Sequence, residues 1–443
     1  APWAPIRTQE DPTMRFKLLA SLGIATILLL PTSLLAETVK GRIMEISRLA
    51  NTIQINVPNK DPVVVRFGPE TRFVETTGID DLTAPDLIEV EFEPGQPASQ
   101  IKKVIFGLPP GIEIDVQQML GILTSGQPYT LIDTRPKKPY LMGHVPSASQ
   151  AFPKDEDFVS KLPADKNGLL VFYCGGPTCP YTAEAVGIAQ QNGYTNIKGF
   201  QAGHPGWQKA ELPLHAHPQW VSESLDPAHV IIDTRDPAVS AQRHLPGAVT
   251  MQAAEFEALT AQFIRDQSVA ELPGVSDLRA PIILYSDTHA SPDVLVAFRE
   301  VRSWGYRNTT ILRDGMNGWA SAGLPVESNQ LASSINFVKK LAPGAINPEE
   351  FVALEKSRDG VMLLDVRSVQ EAASGTIADS LHIPLEQVEA NLDKFDKDKE
   401  ILAYCANGIR AEMVYRALTA QGFKVRYLNE NLEIAQDGSF RIL

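Results

Sequence analysis

Tyr404-Cys405-Ala406-Asn407-Gly408-Ile409-Arg410-Ala411 closes a short apolar run, Ile401 to Tyr404, and leads into an alanine-bearing segment of helical character. A strand that ends on a cysteine and turns into a helix places the sulfur among backbone N–H groups at a helix N-terminus. That field favours anions, so it favours thiolate over thiol. The same strand, loop and helix occurs twice more. Leu169 to Tyr173 runs into Cys174, and Ile282 to Tyr285 runs into Ser286. Upstream of each lies an Asp-x-Arg: Asp133-Thr134-Arg135, Asp233-Thr234-Arg235 and Asp365-Val366-Arg367. Each is followed by a His-x-Pro, beginning at His144, His244 and His382. Strands alternating with helices over roughly 100 residues per unit predict three α/β domains with parallel sheets flanked by helices. The ends of such strands are where open α/β sheets take ligands.

The chain has 443 residues and a net charge of −13, which argues against nucleic acid as a partner. Its three cysteines are an odd number and do not make a disulfide scaffold. Residues 1–13 read as upstream extension. Arg15, Lys17, the apolar run Leu18 to Leu30, Pro31 and Leu34-Leu35-Ala36 read as a secretory signal. The expectation is a mature protein starting at Glu37, exported to the periplasm, with no stable membrane span after cleavage. The predicted domains are 37–107, 112–215, 216–328 and 340–443, after a 1–36 leader. Short β-branched runs between Thr38 and Phe106, punctuated by Pro58, Pro62, Gly68 and Pro94, predict a small all-β domain, an antiparallel barrel or sandwich. It shows no catalytic constellation and reads as a docking or packing module.

The triple pattern, with Gly203-His204-Pro205-Gly206-Trp207 and Gly315-Met316-Asn317-Gly318-Trp319, resembles the rhodanese family of sulfurtransferases across about 113–443. The third unit lacks the Gly-x-x-x-Trp segment. Four residues separate Cys405 from Arg410, one fewer than in the related phosphatases, and the smaller cradle suits a sulfane sulfur. The resemblance implies a persulfide on Cys405, stabilised by backbone N–H groups of Ala406, Asn407, Gly408, Ile409 and Arg410. Arg410 would bind and orient the anionic donor. The implied substrates are small sulfur anions such as thiosulfate or polysulfide. A thiol, cyanide or exported redox protein would be the acceptor, with no metal or organic cofactor.

The first loop departs from this pattern. Cys179 stands where Arg410 stands in the third, beside Gly175, Gly176 and Thr178 as cradle positions for Cys174. The pair reads equally as a structural disulfide or as a redox pair in which Cys179 resolves a Cys174 persulfide. The second loop, Ser286-Asp287-Thr288-His289, has no thiol and is expected to be inactive. His215-Ala216-His217 reads as surface linker, and 325–345 as a longer linker. The leading expectation is therefore a sulfurtransferase working through Cys405. Against it stands a non-catalytic scaffold or docking subunit of an exported redox complex, favoured by the degenerate first and second loops.

Overall fold

The computed structural model describes residues 36–48, 50–60 and 62–442. Residues 1–35 of the expected leader lie outside the described residues. Among the described residues no helix is long and apolar enough to cross a membrane.

The N-terminal domain holds six strands: β1 (Glu37–Ser47), β2 (Thr52–Asn56), β3 (Val63–Arg66), β4 (Arg72–Val74), β5 (Leu87–Phe92) and β6 (Gln100–Lys103). They form one sheet in the order β3-β2-β1-β5-β6-β4. It curls until Arg66 bridges Pro97, so of the expected barrel or sandwich the single rolled sheet takes the barrel-like form. It is also not wholly antiparallel, since β4 runs parallel to β6. Val39, Ile43, Ile53, Ile55, Val65, Ile88, Val90 and Ile101 fill its inside.

The three remaining sheets have one architecture. In the first, Glu113–Ile114, Ile197–Phe200, Leu169–Tyr173, Tyr129–Asp133 and Ser149–Gln150 lie side by side in that order, all parallel. The second repeats the order with His215–Ala216, Thr309–Leu312, Ile282–Tyr285, Val230–Asp233 and Val249–Thr250. The third repeats it with Ala345–Ile346, Val425–Leu428, Glu400–Tyr404, Val361–Asp365 and Leu381–His382. Helices cover both faces, so the central strands carry continuous apolar runs, Leu169–Tyr173, Ile282–Tyr285 and 401–404, rather than alternating. Their side chains still go to opposite sides. Ile401, Ala403 and Cys405 join one cluster, and Leu402 and Tyr404 the other. Leu284 is wholly buried. Its truncation to alanine would cost about 2–5 kcal/mol, transfer and cavity together.

One expectation about a connection is corrected. His215 and Ala216 are buried strand residues that pair with Ile311 and Leu312, not surface linker. Burial pushes the His215 imidazole down to about 3, with the neighbouring His289 and His144 acting the same way. The 325–345 linker is held against its neighbours. Glu327 bridges His244, and Ile335 and Phe337 pack on the second domain. Glu430 of the third domain then takes Lys339 Nζ at 2.5 Å and Arg279 Nη2 at 3.1 Å, tying the second domain and the linker to the third.

Candidate active site

Cys405 sits where the central strand Glu400–Tyr404 ends and the helix Ile409–Ala420 begins. Gly408 makes the turn with φ +88°, and a Cβ there would lie 2.7 Å from Asn429 Cα. Only glycine meets both demands. The sulfur is 1% exposed, at the floor of the loop. Its S–H points to Asn407 Oδ1 at 3.7 Å, and the Ile409 N–H donates to the same oxygen at 3.4 Å. The loop is pinned from outside by the Leu432 N–H, which donates to the Ala406 carbonyl at 2.9 Å. Leu432–Ile434 and Phe440–Ile442 form a hairpin. It stands where the first two domains have the Gly-x-x-x-Trp helix. With Arg367, Glu371 and Ala406, the hairpin lines a cavity of about 610 Å³ beside the loop.

Arg410 faces a partner that reading the sequence missed. Its Nη1 and Nη2 donate to the two oxygens of Glu371 at 2.6 and 2.8 Å. Burial opposes the guanidinium charge, but Glu371 and then Cys405 raise its affinity for the proton above the ordinary value. Burial likewise works against the Glu371 carboxylate, yet the Arg410 bonds hold its carboxyl below the usual range. Glu371 is fixed in turn by a capping box, with the Ser368 N–H and Oγ–H donating to its Oε2 at 2.9 and 2.8 Å. The Ser368-x-x-Glu371 spacing was the readable signal for it. The expected anion contact of Arg410 therefore has a resident competitor, while its Nε–H stays buried without a partner.

The three Asp-x-Arg pairs do structural work. Arg135 holds Asp133 with Nε at 3.0 Å and Nη2 at 2.6 Å, and Nη2 also reaches the Gly143 carbonyl. Arg235 and Arg367 repeat this on Asp233 and Asp365. Each arginine also holds a backbone carbonyl eight residues on, that of Gly143, Arg243 or Gly375.

In the first loop Cys174 and Cys179 are joined as a disulfide, with Cα atoms 6.3 Å apart. Gly176, at φ +100°, lets the chain turn back, and the Cys179 N–H donates to its carbonyl at 3.0 Å. Thr178 is buried under the N-terminal domain: its hydroxyl donates to Asp86 Oδ1 at 3.2 Å. The Phe106 N–H donates to the Pro177 carbonyl at 2.9 Å. Gly175 lies against Cys179. In the second loop Ser286 is buried, and Asp287 accepts from Arg235 Nη1 at 3.3 Å. His289 turns its Nδ1 to the Asp314 N–H at 3.1 Å, and its ring centre lies 4.5 Å from that of His215 at a tilt of 51°. It does not serve Ser286.

Comparison with known proteins adds three findings. The family model for the rhodanese-like domain matches residues 115–210, 217–322 and 347–433. A thiosulfate sulfurtransferase of Coxiella burnetii is 36% identical over 74 residues, which is 17% of this chain and 68% of that protein. A sulfurtransferase of Allochromatium vinosum is 31% identical over 65 residues, 15% of this chain and 61% of that protein. The first curated relatives are thus matched over 43–68% of their length. A solved thiosulfate sulfurtransferase from Pseudomonas aeruginosa is 18% identical, with 72% of this chain and 66% of that one covered and a TM-score of 0.22.

Proposed function

Because the chain belongs to the rhodanese family, three times over, we propose that it is a rhodanese-type sulfurtransferase whose working sulfur is Cys405. One observation carries this reading. Among the described residues Cys405 is the free thiol, and it ends a central strand inside a four-residue loop closed by an arginine. The Cys405 thiolate attacks the outer sulfur of thiosulfate. The S–S bond of the donor breaks, sulfite leaves with its electron pair, and a Cys405 persulfide remains. Cyanide then takes the outer sulfur as thiocyanate, or a thiol takes it and returns its proton to Cys405. This is covalent catalysis in two half-reactions. The helix N-terminus and Arg410 stabilise the anionic sulfur that exists between them.

The decisive experiment is intact-mass measurement after treatment with thiosulfate. One added sulfur atom, lost again with cyanide and absent in Cys405→Ser, supports the proposal. No mass gain with any sulfane donor overturns it and favours the scaffold reading, which draws on the disulfide in the first loop and the thiol-free second loop. Export to the periplasm belongs to the same proposal, since an oxidising compartment keeps Cys174–Cys179 closed. Sequencing the native N-terminus checks it, with Glu37 the expected first residue.

A further inference from the structure

The N-terminal domain lies outside the matched rhodanese-like segments, yet one of its carboxylates reaches into the Cys405 loop. Glu45 Oε1 accepts a hydrogen bond from Asn407 Nδ2 at 3.3 Å. A local irregularity of β1 aims it there. Val39 and Ile43 belong to the core of the rolled sheet and Gly41 is buried with them, so strict alternation would send Glu45 inward too. The register against β2 instead shifts between Ile43 and Glu45. The extra residue, Met44, is exposed, and Ile46 packs on the core in its stead. Such a bulge turns the following side chain to the other face. Here that face meets the third domain.

The chemistry of the contact is one-sided. A carboxylate only accepts, so the Asn407 amide must present its N–H to Glu45. Its carbonyl oxygen is left toward Cys405, where the Ile409 N–H also holds it. Oxygen lone pairs facing the sulfur favour S–H over S⁻, and the carboxylate charge behind them acts in the same direction. We propose that Glu45 is a positioning residue for Cys405, locking the Asn407 carbonyl onto the sulfur so that the N-terminal domain holds the thiol protonated. The inference rests on Cys405 being the working sulfur.

Other charges face this relay. Arg279 of the second domain lies near Glu45, and Glu412 of the helix after the loop is its acidic neighbour. Arg410 lies beside Cys405 and carries a positive charge there. Burial is the largest influence on Glu45 and raises its carboxyl above the usual value, although Arg279 and the Asn407 bond pull the other way. The Arg410 cation and the Glu45 carboxylate, the latter acting through Asn407, thus bear on the sulfur with opposite sign.

The test is alkylation of Cys405 by iodoacetamide across pH, in oxidised full-length protein with Cys174–Cys179 closed, followed by intact mass. Glu45→Ala should lower the midpoint of the profile by about one pH unit, so that the rate below the midpoint rises about tenfold. Glu45→Gln, whose carbonyl accepts the same Asn407 bond, should return the rate to within about threefold of wild type. In an Asn407→Ala background Glu45→Ala should not move the midpoint further. An unmoved midpoint in Glu45→Ala overturns the proposal. So does a rate increase of equal size at every pH, which would show lost cover rather than lost positioning. So does a shift that persists unchanged without Asn407. Alkylation needs no sulfur donor, so its outcome is separate from that of the thiosulfate mass experiment.

Discussion

The Cys174 and Cys405 loops begin alike and end differently. Both follow the fully buried tyrosine of a central strand, and both place their first sulfur at 1% exposure. At the sixth position one loop has Cys179 and the other Arg410. That single difference decides the state of the sulfur. In the first loop the second thiol comes within bonding geometry and consumes it. In the third the guanidinium, itself held by Glu371, leaves the thiol free and adds a positive charge beside it. The shared fold supplies the cradle, and the residue closing the loop sets what the cradle can carry.

The sharpest way to break this contrast is to remove each first sulfur. Cys405→Ser should reduce thiosulfate:cyanide activity to background, whereas Cys174→Ser should keep most of it. Nearly full activity in Cys405→Ser would reverse the assignment of the two loops.

The next largest effect is on stability. Glu371→Ala strands the Arg410 charge in a buried site and should cost the protein about 3–5 kcal/mol, read by denaturant unfolding with a probe in the third domain. The pair also has a pH signature. The Glu371 carboxyl is held below its ordinary value in the folded state. Its stabilisation is therefore complete above the ordinary carboxylate range and disappears as pH falls through the lowered value. Glu371→Gln should flatten that acid limb. A limb of unchanged steepness would show that other carboxylates govern it.

Arg410→Ala should act mainly on anionic donors, weakening transition-state binding by about 1.5–3 kcal/mol, or roughly 10- to 150-fold in kcat/KM for thiosulfate. A neutral persulfide donor should be affected much less. Equal losses with both donors would mean that Arg410 serves the loop through Glu371 and not the substrate. The smallest and simplest measurement is a thiol count in denaturant, expected to be one before reduction and three after. Three before reduction would remove the disulfide and with it the difference between the loops.

Much of this architecture could be read from the chain because its signals are local. Apolar runs such as Ile282 to Tyr285 are buried on both sides and therefore carry strand length and sheet type in a few residues. The cysteine, the glycine turn and the helix start lie within eight positions of one another. What escaped is what the chain brings together from afar. Glu371 is 39 positions from Arg410, and its capping-box spacing announces a helix start but not a guanidinium partner. The role of β1 depends on a register shift against β2, and alternation of residue types gives no sign of it. His215 looked like linker because two strand residues flanked by prolines are too few to show a period.

Glu45 and Asn407 stand 362 positions apart, one in the first strand of the described fold and the other close to its last helix. On a chain made from the N-terminus, the carboxylate exists long before the amide it will bind. A product truncated between the first loop and Asn407 has a complete N-terminal sheet and a complete first loop but no seat for Glu45. Assembly thus closes across the chain, and the Cys405 loop is finished only when the first strand of the described fold meets a segment made 362 residues later.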